Sequence, residues 1–359
     1  MNLCKNLYNI NINNKEVSNF IKFCYNILQD GNNILKHTKI NIDIVNSLTN
    51  RLSNSWIPSN ILNFIHKNKG LTYKVTSNIN NINITLYFTC YERVNADKIF
   101  YYTNNILLVI YLFTINNTNI CPKNIEIKLY LTPFKKIAPK NYNNILGINE
   151  INTGYSTIGC QNNTSILIYR KEEWFKVFIH ELMHNLNLDF ATNNIIKSKK
   201  KLFRLLQLNI KYEITETYAE IWARIINIAI AANIKTSDYN KYILHFQNLL
   251  EKEIIFSLQQ ASKVLKFVNN NDNYKENTNA YAYYVFTSAL LYNYKDFLEW
   301  CDRNNKNIFN IKKTDKSINQ FTELLISSLR KTNYQKLLTC IYNIENSSSL
   351  RMSRQDFLE

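Results

Sequence analysis

The chain has 359 residues, 46% hydrophobic and 13% aromatic, enough to bury a large core in two or three lobes and too apolar for a disordered segment. Its 43 Lys+Arg against 27 Asp+Glu give a net charge of +16, which draws a protein toward polyanions. No long basic run interleaved with aromatics accompanies that charge, and the crowding of Asn, Ile, Lys and Tyr is the bias of an A/T-rich genome, so nucleic acid is an admissible partner but not the favoured one.

The opening stretch, MNLCKNLYNININNKEV, lacks the apolar core of a secretory leader. Over 15–67, Val17, Phe20, Ile21, Tyr25 and Ile27 recur at near-helical spacing with Gly31 as a stop, so 1–68 is expected to be a helical N-terminal region. Residues 69–170 change to a β-rich lobe. Two strands, 71–76 and 82–88, flank an Asn-rich turn and predict a hairpin. The runs 106–114 and 125–132 read as further strands, the second alternating Ile125, Ile127, Leu129 and Leu131. Pro133 and Pro139 bracket a loop, and 152–156 and 166–169 each suit a short strand. From 171 onward there is no Gly or Pro, and the pattern predicts helices over 171–187, 194–208, 213–233, 238–267, 280–303 and 315–345. These make a helical lobe over 171–346, and 347–359 reads as a polar tail. The fold class is therefore α+β: a helical N-terminal lobe, a mainly antiparallel or mixed sheet, then an all-helical C-terminal lobe.

Seven scattered cysteines without a C-x-x-C pair exclude a zinc ribbon or a thioredoxin motif and point to a reduced, intracellular chain, cytoplasmic rather than secreted. The most apolar run, 106–113, is too short to span a bilayer, so no membrane partner is expected.

The chemistry concentrates in FIHELMHNLNLDF, residues 178–190, where His180, Glu181 and His184 spell H-E-x-x-H. On a helix, i and i+4 share a face, so both imidazoles can meet one ion with Glu181 beside them. A hydrolytic zinc site takes three protein ligands and a water. The pattern H-E-x-x-H-x-x-G-x-x-H fails, because 187 and 190 are Asn187 and Phe190, and Asp189 is one place off its register. A second helix, EITETYAEIW, offers Glu213, Glu216 and Glu220 instead. Glu216 is a candidate metal ligand, and Glu220, one turn on, a candidate acceptor for the free N–H of a ligand histidine. A solvated acidic face is the competing reading.

HELMH followed by TETYAE resembles the gluzincin class of zinc metallopeptidases, in which H-E-x-x-H is followed by a Glu, with an acidic residue four positions later on the next active-site helix. The stretch ILIYRKEEWFKVFIHE, residues 166–181, also resembles metallopeptidases inferred for large nucleocytoplasmic DNA viruses. The likeness is specific over 150–222, roughly a fifth of the chain. It implies one zinc ion held by His180, His184 and Glu216, with Glu181 as general base, Glu220 behind a ligand histidine, and a peptide or protein substrate. It also implies an oxyanion donor from the downstream helices, with Tyr281, Tyr283, Tyr284 and His245 as candidates and Tyr283 taken first. Substrate pairing with an edge strand would fall at Asn152-Thr153-Gly154-Tyr155, which also reads as a plain turn. The basic stretch Lys197 to Arg204 either lines the cleft, favouring acidic peptides, or is a solvated surface. The alternative class is a basic structural or nucleic-acid-associated viral protein whose zinc site is vestigial or purely structural.

Overall fold

In the computed structural model, which describes residues 15–46, 52, 55–117, 120–272, 274–342 and 347–358, the hairpin expected over 71–88 is present. The first 14 residues, and with them the stretch read as lacking a leader, lie outside the described residues. Helix α1 spans Lys15–Leu35, strand β1 Asn41–Val45 and α2 Ser59–Lys67. Strands β2 (Leu71–Ile79) and β3 (Ile82–Cys90) then pair antiparallel through Asn80 and Asn81, both with positive φ (48° and 62°), the backbone that a two-residue hairpin turn requires and Asn tolerates. Next come α3 (Ala96–Thr114), β4 (Asn124–Leu131), the short α4 (Ile148–Ile151), β5 (Gly154–Ser156) and β6 (Asn163–Ile168). The sheet has six strands in the order β1-β2-β3-β4-β6-β5, with β3, β4 and β6 parallel and the rest antiparallel. The α+β class holds.

Two sequence expectations are corrected in this half. The run 106–114 is the end of α3, not a strand. Residues 105–114 are all buried, so the periodicity that separates helix from strand is erased. The helix is nucleated upstream, where the Asn95 side chain caps the Lys98 N–H at 2.9 Å, and it supplies the long crossover that parallel β3 and β4 need. Conversely, β1 falls inside the stretch read as helix and adds an exposed edge strand to β2.

Alternation along the strands sends Leu129, Ile166 and Ile168 to the main core, while Tyr130, Leu167 and Tyr169 pack on the other face with Ile57 and Ile61 of the α2 region. The main core continues into α5 (Trp174–Asn185), α6 (Ile196–Leu206), α7 (Ile214–Lys235) and α8 (Tyr239–Asn269). Expected helix 280–303 is broken into a π-helical turn, Ala282–Phe286, then α9 (Thr287–Tyr292) and α10 (Tyr294–Asn304). Expected helix 315–345 divides into α11 (Asp315–Arg330) and α12 (Thr332–Tyr342). Trp174, fully buried at the start of α5, meets Tyr102 of α3 and Phe88 of β3 edge to face, at 5.0 and 6.4 Å between ring centroids. Such pairs contribute about 0.5–1.5 kcal/mol each beyond area burial, and here they set α5 against the sheet.

The last described residues, 347–358, do not form a solvated polar tail. Leu350, Met352, Ser353 and Leu358 are buried. The segment runs beside 136–138, with Leu350 N donating to Lys136 O at 3.0 Å and Ala138 N to Ser348 O at 2.7 Å. Its polarity misleads because backbone groups make most of these bonds. The expectation of reduced cysteines also fails: Cys121 and Cys160 form a disulfide, with Cα atoms 5.0 Å apart, and Cys340 is disulfide-bonded too. Parallel pairing of Asn124 with Asn163 brings together the residues three places before each, across 39 positions of sequence, so no local motif announces the bond. Among the described residues no helix is long and apolar enough to cross a membrane.

Candidate metal centre

The residues after β6 are fastened before the chain turns into α5. Arg170, buried, donates to three carbonyls, of Asn152 (2.9 Å), Lys135 (3.1 Å) and Asn149 (2.5 Å), which fixes the segment leading into β5. Helix α5 then carries the H-E-x-x-H residues, all buried. His180 and His184 stand one turn apart with their Nε2 atoms 3.2 Å from each other. Glu216, in the first turn of α7, places Oε2 3.2 Å from His180 Nε2 and 3.5 Å from His184 Nε2. These three residues, the histidines buried and Glu216 half-buried, form a group that could hold a metal ion.

The electrostatics suit a cation. Burial opposes charge on His180, but the neighbouring carboxylates of Glu216 and Glu220 outweigh it and raise its pKa. For His184 burial is again opposed, here by Asp189 and Glu216, and its pKa is raised well above the ordinary value. Burial would raise the Glu216 pKa, yet the two imidazoles hold it well below the usual carboxylate range. Two imidazoles and a carboxylate thus converge on a point that favours positive charge.

Glu181 sits beside this group without joining it. Its Oε2 accepts a hydrogen bond from Ser156 Oγ at 2.8 Å, and burial raises its pKa against the lowering effect of the histidines and of Ser156. Ser156 had not been singled out in the sequence. It belongs to β5, which brings the outermost strand next to the carboxylate.

Behind the donors lies a second layer. Glu220 Oε2 is 3.1 Å from His180 Nδ1, at an angle that falls short of a full hydrogen bond. The same carboxylate accepts Lys176 Nζ at 2.9 and 3.0 Å and Arg224 Nε at 2.9 Å. Arg224 in turn donates to the backbone carbonyl of Tyr283 at 3.0 Å. Tyr283 lies in the π-helical turn, a distortion that recurs at functional sites, and its hydroxyl donates to Glu216 Oε2 at 2.9 Å. Of the other candidates, Tyr284 OH is bonded to Leu350 O, Tyr281 packs its ring on Phe286, and His245 is not among the residues lining the pocket beside His180.

His184 Nδ1 pairs with Asp189, a partner sequence reasoning passed over as out of register. The helix end explains it. Asn187 takes positive φ (55°), its N–H reaches His184 O at 3.0 Å, and Leu188 N reaches Met183 O at 2.9 Å, a Schellman turn that folds Asp189 back onto the helix. Asn at the left-handed position was the available signal. Replacing Asp189 with Ala is expected to weaken metal binding roughly 10- to 100-fold in chelator competition, because a histidine freed at Nδ1 loses its orientation and basicity. Unchanged affinity would mean that Asp189 only fills space.

Other sequence candidates are occupied elsewhere. Glu213 pairs with Lys199, Lys201 with Glu323, and Lys197 lies 3.9 Å from Asp315, so three lysines of the basic stretch of α6 are engaged in ion pairs on its surface. Gly154 has a packing cause: a Cβ there would meet Leu167 O at 2.7 Å. Compared with known protein families, with curated proteins and with solved structures, the chain matches none.

Proposed function

We propose that this protein is a zinc-dependent peptidase of gluzincin type, with His180, His184 and Glu216 as metal ligands and Glu181 as general base. The observation that carries the reading is a buried, hydrogen-bonded carboxylate beside a three-donor group that it does not join. A purely structural zinc site has four protein ligands and no use for such a neighbour. The donor spacings of 3.2, 3.2 and 3.5 Å support zinc, since tetrahedral bonds of 2.0–2.1 Å separate ligand atoms by about 3.3 Å. A zinc ion bound there would supply a Lewis acid that lowers the pKa of a coordinated water.

The chain's own residues do the rest. Glu181 takes a proton from the attacking water and returns it to the departing amine nitrogen as the C–N bond breaks. Tyr283, held through Arg224 at its backbone, turns its hydroxyl from Glu216 to the carbonyl oxygen as that oxygen gains charge. Strand β5 supports binding of an extended peptide. Thr153 O and Thr157 N bond to β6, and alternation therefore turns the backbone groups of Gly154 and Ser156 outward. The peptide would lie next to Ser156 and hence next to Glu181.

Metal analysis and peptide-library cleavage test the reading. One equivalent of zinc is expected, with cleavage lost on chelation and regained on refilling. The melting temperature should fall on chelation, since a ligand at about 1,000 times its Kd stabilises by about 4 kcal/mol. Tight DNA binding by a chain that cuts no peptide would instead favour the basic structural reading.

A further inference from the structure

Beside His180 and Glu181 lies a pocket of about 30 Å³, room for only a few non-hydrogen atoms. Its lining includes Thr153, Val177, Lys136, Lys176, Tyr283 and, from the closing segment, Met352. We propose, resting on the peptidase reading above, that the pocket is a substrate subsite selective for a small uncharged side chain (Gly, Ala or Ser), with Met352 setting the limit.

Size and charge both point this way. Met352 is 5% exposed, its N–H is held by Glu173 at 3.1 Å, and its sulfur lies 3.4 Å from Lys176 Nζ. The side chain is therefore a fixed wall that leaves no room for a long substrate residue. The two lysines suggest an acidic side chain at first sight. Each already makes a buried ion pair, Lys136 with Glu173 at 2.9 Å and Lys176 with Glu220 at 2.9 and 3.0 Å, the latter carboxylate shared with Arg224, so a carboxylate entering the pocket would be desolvated and would have to compete with those partners.

The test is a peptide library varied one position at a time, with wild type, Met352→Leu and Met352→Ala (Met352→Val if the alanine protein fails to fold), each checked by its melting curve. Binding of the same peptides to Glu181→Gln protein is measured by calorimetry. At one position the wild type should favour Gly, Ala and Ser over Leu, Phe and Asp by roughly 10- to 200-fold. The smaller Met352 variants should raise Val and Leu relative to Ala there about tenfold, and Met352→Leu should keep the wild-type order. Large or acidic residues accepted equally at every position, or an order unchanged in the smaller variants, overturns the proposal. If the wild type cuts nothing, the peptidase reading falls by itself. Calorimetry then decides the pocket: small-residue selectivity in binding upholds it, and no binding or no selectivity overturns it.

Discussion

Glu181→Gln protein is expected to lose roughly 10²- to 10⁴-fold in kcat while still binding one equivalent of metal. The replacement keeps the shape of the side chain and an oxygen that can accept from Ser156 Oγ. It removes the one property the mechanism needs, a basic oxygen able to take a proton from water. Because Glu181 is outside the donor group, metal affinity should be nearly unchanged. Substrate contacts also remain, so KM should move little, the pattern of an interaction made only in the transition state. Steady-state kinetics together with metal analysis checks both halves. Activity within threefold of wild type would remove Glu181 from the mechanism. Loss of activity together with loss of the metal would instead make it a ligand.

The parts of the site legible in the sequence are those whose meaning is local. His180 and His184 are one helical turn apart, so placing α5 correctly brings them together, and Glu216 with Glu220 obey the same rule on α7. The β2–β3 hairpin was legible because Asn80 and Asn81 are residues that tolerate the turn's backbone. What escaped depends on tertiary placement. Residues 105–114 of helix α3 are all buried, so the apolar run carries no period. Ser156 meets Glu181 only because β5 is the strand laid against α5, and Cys121 meets Cys160 only through strand register. The closing segment was the largest loss. Its serines and arginines look solvated, yet its backbone N–H groups bond to buried carboxylates, and composition does not report on those.

Glu173→Gln is expected to destabilise the protein by about 3–5 kcal/mol at neutral pH, a large share of the roughly 5–15 kcal/mol that holds a domain folded. Glu173 immediately precedes α5, in a left-handed conformation (φ 60°) that a non-glycine residue adopts only when its surroundings impose it. Its carboxylate, fully buried, accepts from Lys136 Nζ at 2.9 Å and from the N–H groups of Met352 (3.1 Å) and Ser353 (2.5 Å). Its own N–H donates to Asp356 at 3.1 Å. One side chain therefore joins the start of the helix carrying the candidate metal site, a loop lysine and the closing segment, and its amide analogue would leave Lys136 buried without its counter-charge. Acid should reproduce the effect. Burial alone would raise the Glu173 pKa, but Lys136, Lys176, Arg351 and the Ser353 N–H lower it to about 2. A carboxylate depressed in the folded state stabilises above its unfolded pKa, and that contribution, about 3 kcal/mol, is lost as pH falls from about 4.5 toward 2. Denaturant unfolding at pH 7, 4.5 and 3 should show wild-type stability falling over that window and the Glu173→Gln protein falling less. Removing both charges together, as Lys136→Met with Glu173→Leu, should recover part of the loss, because neither ion is then left uncompensated. A midpoint for Glu173→Gln equal to wild type at pH 7 would show that the closing segment is held by its apolar residues alone, and that the wall of the pocket beside His180 does not depend on this charge.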